Sequence, residues 1–76
     1  MNREDIEKDV IKLLSRITKE EITLESNLLD DLSISSLDTL ILVASIEERF
    51  NIKISEEEIG DFYTVNDVVD TVCEKI

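Results

Sequence analysis

The chain has 76 residues, with nineteen acidic and eight basic side chains, one cysteine and no histidine, for a formal net charge of −11. That length holds one small domain, residues 1–76, and a single cysteine forms no internal disulfide. With no histidine and no cysteine cluster there is no basis for a structural metal, and no apolar run approaches membrane-spanning length. The start is charged from Arg3 onward and lacks a signal-peptide pattern, so a cytoplasmic protein without membrane association is expected. The charge is unevenly placed: residues 1–19 sum to +1 and residues 20–76 to −12. Such a surface repels phosphates, which argues against nucleic acid and for protein partners with basic patches.

Asn2 is placed to cap a first helix, with Asp5 three positions on. Ile6, Val10, Leu13, Leu14 and Ile17 then recur as the stripe of an amphipathic helix. Arg3, Lys8, Lys12 and Arg16 fall mostly off that stripe, on a solvated face. Residues 18–35 form a long connector without glycine or proline. Thr18, Thr23, Ser26, Asn27, Asp30, Asp31, Ser33 and Ser35 make it polar, while Ile22, Leu24, Leu28, Leu29 and Leu32 predict that it packs by its own side chains.

Ser35 is the expected N-cap of a second helix running from about Ser36 to Phe50, with Asp38 complementing the helix dipole on the first turn. This helix carries two apolar stripes. Thr39, Leu42, Val43, Ile46 and Phe50 make one; Leu37, Leu40, Ile41 and Ala44, ending at Glu48, make the other. At about 100° per residue the two point to nearly opposite sides. The first is assigned to the core. The second starts directly after Ser36, whose hydroxyl stands at the mouth of the helix, and it is bordered by Asp38, Glu47 and Glu48. An apolar strip rimmed by acids beside a free hydroxyl reads as a docking surface.

Asn51 to Ile54 is a short link in which Ile52 and Ile54 alternate with no second strand to pair with. Ser55 and Glu58 make a capping box for a short third helix, and Gly60, the single glycine, is expected to end it in a left-handed conformation. Glu56, Glu57 and Glu58 lack the alternating spacing of a calcium loop and are read as complementing the helix dipole. Phe62 and Tyr63 are expected to close one end of the core. Thr64 and Asp67 cap a last helix in which Val65, Val68, Val69, Val72 and Ile76 form the core stripe, with Cys73 at its edge as a small buried hydrophobe. The fold class that follows is all-α: a small four-helix bundle with a long connector after the first helix and a short third helix.

Asp31-Leu32, Ser36-Leu37-Asp38-Thr39, Leu42-Val43 and Ile46-Glu47-Glu48-Arg49-Phe50 together resemble the acyl carrier protein family. The resemblance continues through Ile52, Ile54, Glu56-Glu57-Glu58 and Thr64-Val65 and is strongest from Asp31 to Val65. It implies that Ser36 carries 4′-phosphopantetheine as a phosphodiester, taken from coenzyme A by a phosphopantetheinyl transferase with release of adenosine 3′,5′-bisphosphate. It implies as well that acyl groups travel as thioesters on the terminal thiol, between acyl-loading and chain-processing enzymes of fatty acid or polyketide-type biosynthesis. A tethered arm raises the effective concentration of cargo at each enzyme. Where the family has Gly-x-Asp before the serine, this chain has Ser33, Ile34 and Ser35. Losing the glycine alters the loop's freedom, and losing the aspartate removes a charge, but Ser35 keeps the capping role. The family position of Ile41 is often glutamate and that of Ala44 often a larger side chain, which points to a different partner preference.

An independent enzyme is not indicated: a nucleophilic Ser36 needs a neighbouring base, and the chain has no histidine. The covalent cofactor supplies the chemistry that the side chains lack. Two other readings stay open. One is a dedicated aminoacyl, peptidyl or D-alanyl carrier; the other is an unmodified acidic interaction module whose second stripe binds a partner helix. A monomer is expected. If the acyl chain is sequestered, it slips among Leu28, Leu32, Leu42, Val43, Ile46, Ile54, Ile59, Phe62, Val68 and Val72.

Overall fold

Each helix starts where a short polar side chain takes up the free N–H groups of a first turn. In the computed structural model, which covers residues 1–76, these starts define α1 (Arg3–Leu14), α2 (Ser36–Phe50), α3 (Glu56–Ile59) and α4 (Val65–Lys75). Asn2 Oδ1 accepts the Asp5 N–H at 2.9 Å. The other three helices open on reciprocal capping boxes: Ser35 with Asp38, Ser55 with Glu58 and Thr64 with Asp67. Each such cap stabilises its helix by about 1 kcal/mol. That matters most for α3, whose four residues are too few to form a stable helix alone.

The periodic stripes meet in one core. α1 lies against α2 and α4. Ile6, Val10 and Leu14 of α1, Leu42, Val43, Ile46 and Phe50 of α2, and Val65, Val68, Val69 and Val72 of α4 are all buried. Leu28, Leu32, Ile34, Ile54 and Phe62 complete the buried set from the links between helices. Arg3 ties the outside of α1 to α4, with Nη1 at 2.8 Å from Asp70 Oδ1 and Nε at 3.1 Å from Glu7 Oε2. Arg49 at the end of α2 reaches Asp9 of α1 at 2.7 Å.

The connector packs, as its leucines predict, and it is held by backbone hydrogen bonds to the link before α4 and to the first turn of that helix. Leu28 N–H donates to Tyr63 O at 2.8 Å, Val65 N–H to Ser26 O at 3.1 Å and Asn66 N–H to Leu24 O at 3.0 Å. The same place holds the one isolated β-bridge, Asn27 to Thr64. Ser26 is the one buried polar residue, and its hydroxyl accepts the Thr23 N–H at 2.9 Å. Thr18 Oγ1 donates to Leu32 O at 2.9 Å, fastening the far end of the connector to the exit of α1.

Several side chains sit differently from their sequence expectation. Gly60 is not left-handed: its φ is −62°, and its N–H closes α3 by donating to Glu56 O. The left-handed residues are Ser33 and Asn51, both at φ 56°. Asn51 ends α2, so an asparagine performs the turn that glycine more often makes. Ile76 lies beyond the last turn of α4 and is exposed, so the valines alone make that stripe. Phe62 is buried but Tyr63 is exposed, since neighbouring residues of an extended link point to opposite sides. Leu29, in the turn after Asn27, also faces outward, and Cys73, Leu13 and Ile17 are half-buried at the margin of the core.

Candidate functional site

The capping box that begins α2 separates Ser35 from Ser36 by what each hydroxyl does, while Ser33, also exposed and unbonded in its side chain, stands before the helix rather than on it. Ser35 Oγ accepts the Asp38 N–H at 3.2 Å, and Asp38 Oδ2 accepts the Ser35 N–H at 3.2 Å. The Ser35 hydroxyl is therefore committed to the cap. Ser33 stands two residues earlier at φ 56°, with its N–H donating to Leu29 O at 3.1 Å. Between them Ile34 is pulled into the core, and its N–H donates to Leu28 O at 2.8 Å. Ser36 is the first residue of α2, is exposed, and makes no side-chain hydrogen bond within the molecule. Of the serines at this turn it is the one presented outward at a helix N-terminus, where backbone N–H groups favour an anion.

A groove of about 570 Å³ opens beside Ser36. Its apolar walls are Leu28, Leu29, Ile34, Leu40, Ile59, Phe62 and Tyr63, and Asn27, Asp30 and Thr39 give it polar edges. The groove is thus built by the connector, the first turns of α2, the end of α3 and the link to α4. Of the core residues expected to admit an acyl chain, Leu28, Ile59 and Phe62 line it. Leu32, Leu42, Val43, Ile46, Ile54, Val68 and Val72 stay packed behind it.

The second stripe of α2 is exposed. Leu37 is 69 % accessible, Leu40 56 % and Ile41 51 %, and Ala44 and Glu48 are exposed with them. Apart from the terminal Met1 and Ile76, every exposed large hydrophobic residue is Leu29, Leu37, Leu40, Ile41 or Tyr63. Leu29, Leu40 and Tyr63 line the groove with Ser36, and Leu37 is its neighbour in the chain, so the apolar surface gathers around one hydroxyl. The three acids expected at the rim divide. Glu48 is free and exposed, the Asp38 carboxylate holds the Ser35 N–H, and Glu47 Oε2 accepts the Ile54 N–H at 2.8 Å. Away from the groove, in α3, the carboxyl of Glu58 titrates below its ordinary value of 4.5, because it accepts the Ser55 backbone N–H and lies 3.0 Å from the Lys75 ammonium.

Leu29, Ile34 and Tyr63 belong to the site, yet sequence reasoning did not assign them to it. The usable signal was the alternation rule. Of two adjacent large residues in a link outside the helices, one faces out, which separates Phe62 from Tyr63; Leu28 and Leu29 lie in a turn, where that rule does not apply. No such signal existed for Ile34, whose burial depends on the left-handed turn at Ser33.

Comparison with known proteins agrees with this geometry. Residues 8–72 match the family model described as a phosphopantetheine attachment site. An acyl carrier protein of Coprothermobacter proteolyticus is 40 % identical over 65 residues, covering 86 % of this chain and 79 % of that protein. One from Wolinella succinogenes is 42 % identical over 66 residues, covering 87 % and 86 %. The structure of the acyl carrier protein from Enterococcus faecalis superposes along the full length of both chains with a TM-score of 0.85 at 29 % identity. The chain belongs to the acyl carrier proteins, small helical bundles that bear a covalent 4′-phosphopantetheine and work with enzymes of acyl metabolism. The residues present fit that group. An uncommitted, exposed serine hydroxyl lies at the N-terminus of a fifteen-residue helix, and an apolar groove adjoins it.

Proposed function

We propose that Ser36 is the attachment point of the 4′-phosphopantetheine arm, and that the chain is a cytoplasmic, monomeric carrier of acyl thioesters for fatty acid or polyketide-type biosynthesis, leaving catalysis to the enzymes it visits. The supporting observation is the division of labour among the serines: Ser35 is tied into the capping box, while Ser36 is exposed and unbonded. When bound, the group supplies a terminal thiol that holds an acyl chain as a reactive thioester. The chain's own residues orient and shelter. The first turn of α2 offers N–H groups to the phosphodiester. Leu37, Leu40, Ile41 and Ala44 give partner enzymes an apolar footing, with Asp38 and Glu48 beside it for basic side chains. The groove of Leu28, Ile34, Leu40, Ile59, Phe62 and Tyr63 shelters the near part of the cargo.

Intact mass after incubation with coenzyme A, magnesium and a broad-specificity phosphopantetheinyl transferase tests the first element. One phosphopantetheine is expected on the wild type and none on Ser36→Ala. Addition that survives in the variant moves the site to another serine; no addition to the wild type refutes this reading for that transferase class. Melting temperature across a series of acyl lengths tests the groove: no dependence on length refutes sheltering.

A further inference from the structure

Glu47 stands among the rim acids of the docking strip, but its contacts assign it other work. Its backbone carbonyl accepts the N–H groups of Asn51 and Ile52, the latter at 3.2 Å. Its side-chain Oε2 accepts the N–H of Ile54 at 2.8 Å. One residue thus receives three of the five N–H groups of the link that carries the chain from α2 to α3. Glu47 as a residue is half-buried, unlike Glu48 one residue on, which is exposed. The link itself turns through Asn51 in the left-handed conformation and ends at the buried Ile54.

What hangs from this link is α3. That helix has four residues and none is buried, yet Ile59 and Gly60 at its end form a wall of the groove beside Ser36. Its position depends on few ties: the Ile54 anchor before it, Ile59 packed against the edge of the core, the ion pair of Glu58 with Lys75 at 3.0 Å, and Phe62 behind it. A short helix whose own hold on the core is the single half-buried Ile59 sits largely where its flanking links put it. We propose that Glu47 is a positioning residue for the cargo groove: by holding the Ile54 N–H it fixes the α3 wall, and its carboxylate is not a recognition charge for partners. The hydrogen bond matters here and the charge does not. Glutamine, which keeps the acceptor oxygen, substitutes for it, and alanine does not. This inference rests on the reading of the groove as the cargo site.

The test compares wild type, Glu47→Gln, Glu47→Ala and Glu48→Gln as full chains. Amide hydrogen exchange at Ile54 and along Glu56–Gly60 is measured on the unmodified protein, independently of any cargo. For Glu47→Ala, protection of the Ile54 amide is expected to fall roughly tenfold or more, since a half-buried N–H loses its acceptor. Glu47→Gln and Glu48→Gln are expected to stay near wild type. Next, the rise in melting temperature on acylation is compared between variants. It is expected to shrink in Glu47→Ala and to persist in Glu47→Gln. Finally, the salt dependence of transferase loading is expected to weaken in Glu48→Gln and to stay unchanged in Glu47→Gln.

Unchanged Ile54 exchange in Glu47→Ala overturns the inference. So does a Glu47→Gln variant whose loading slows and loses its salt dependence, because that outcome returns Glu47 to the recognition surface. If exchange behaves as expected but the wild type gains no stability on acylation, the clamp stands and the reading of the groove is what fails.

Discussion

Replacing Ser33 with glycine is expected to stabilise the protein. Ser33 holds φ 56° in the turn that leads into α2. For a residue with a Cβ that region costs about 1–2 kcal/mol, from the approach of Cβ to the following carbonyl oxygen. Glycine removes that cost, but it also widens the unfolded ensemble, which offsets about 0.5–1 kcal/mol. The side chain of Ser33 is exposed and makes no hydrogen bond, so nothing else is lost, and the N–H to Leu29 O contact survives the exchange. The net expectation is a gain of about 0.5–1 kcal/mol, or about 2–8 °C in Tm for a domain of this size. Urea unfolding at fixed ionic strength, checked by a thermal melt, measures it. Two companions sharpen the result. Ser33→Val places a β-branched side chain at positive φ and should destabilise. Asn51→Gly should gain less than Ser33→Gly, because asparagine already tolerates the left-handed region. A Ser33→Gly variant no more stable than wild type, or a Ser33→Val variant of equal stability, would refute the idea that this turn stores strain.

Ser35→Ala should lower stability by about 1 kcal/mol through loss of the α2 cap, read as a drop in Tm of about 4–8 °C; an unchanged Tm removes the cap as a source of stability. Glu58 titrates below its ordinary 4.5, so its contribution is fully present above pH 4.5 and is lost as pH falls through the depressed value. Glu58→Gln should therefore flatten the acid limb of the stability profile below pH 4.5 more than at neutrality, and an unaltered limb counts against the pairing with Ser55 and Lys75. Ile41→Glu puts a charge on a residue 51 % exposed, so Tm should move by less than about 0.5 kcal/mol equivalent while the loading rate by partner enzymes changes; equal rates exclude that part of the strip from docking.

The fold was legible wherever a local rule decides structure. Three capping boxes and the Val65–Val68–Val69–Val72 stripe fix helix starts and faces from near neighbours alone, and the structure shows each of them. Legibility failed where a distant contact decides. The one glycine looked like a left-handed terminator, but α3 is so short that Gly60 simply extends its last turn at φ −62°. The left-handed residues are instead Asn51, which ends α2, and Ser33, in the turn that leads to the buried Ile34 and the capping Ser35. Ser36 and the outward stripe could be placed from spacing. Leu29 and Tyr63 could not, since their place beside Ser36 depends on the connector crossing to the link before α4. Glu47 belonged to the rim acids by helical angle, and only the path of the Asn51–Ile54 link shows what its carboxylate holds.

The apolar ring of Leu29, Leu37, Leu40, Ile41 and Tyr63 has a colloidal consequence. Such patches attract only at contact, whereas a charge of −11 acts across a Debye length of about 8 Å at physiological salt. Two copies therefore feel repulsion before their rings touch, and the acidity that suits basic partners also keeps identical molecules apart. The balance reverses near the sequence pI of 4.2, where the charge vanishes and the ring does not. Mild acid should therefore gather this protein ring to ring while its helices are still folded, and turbidity should precede the loss of helix signal.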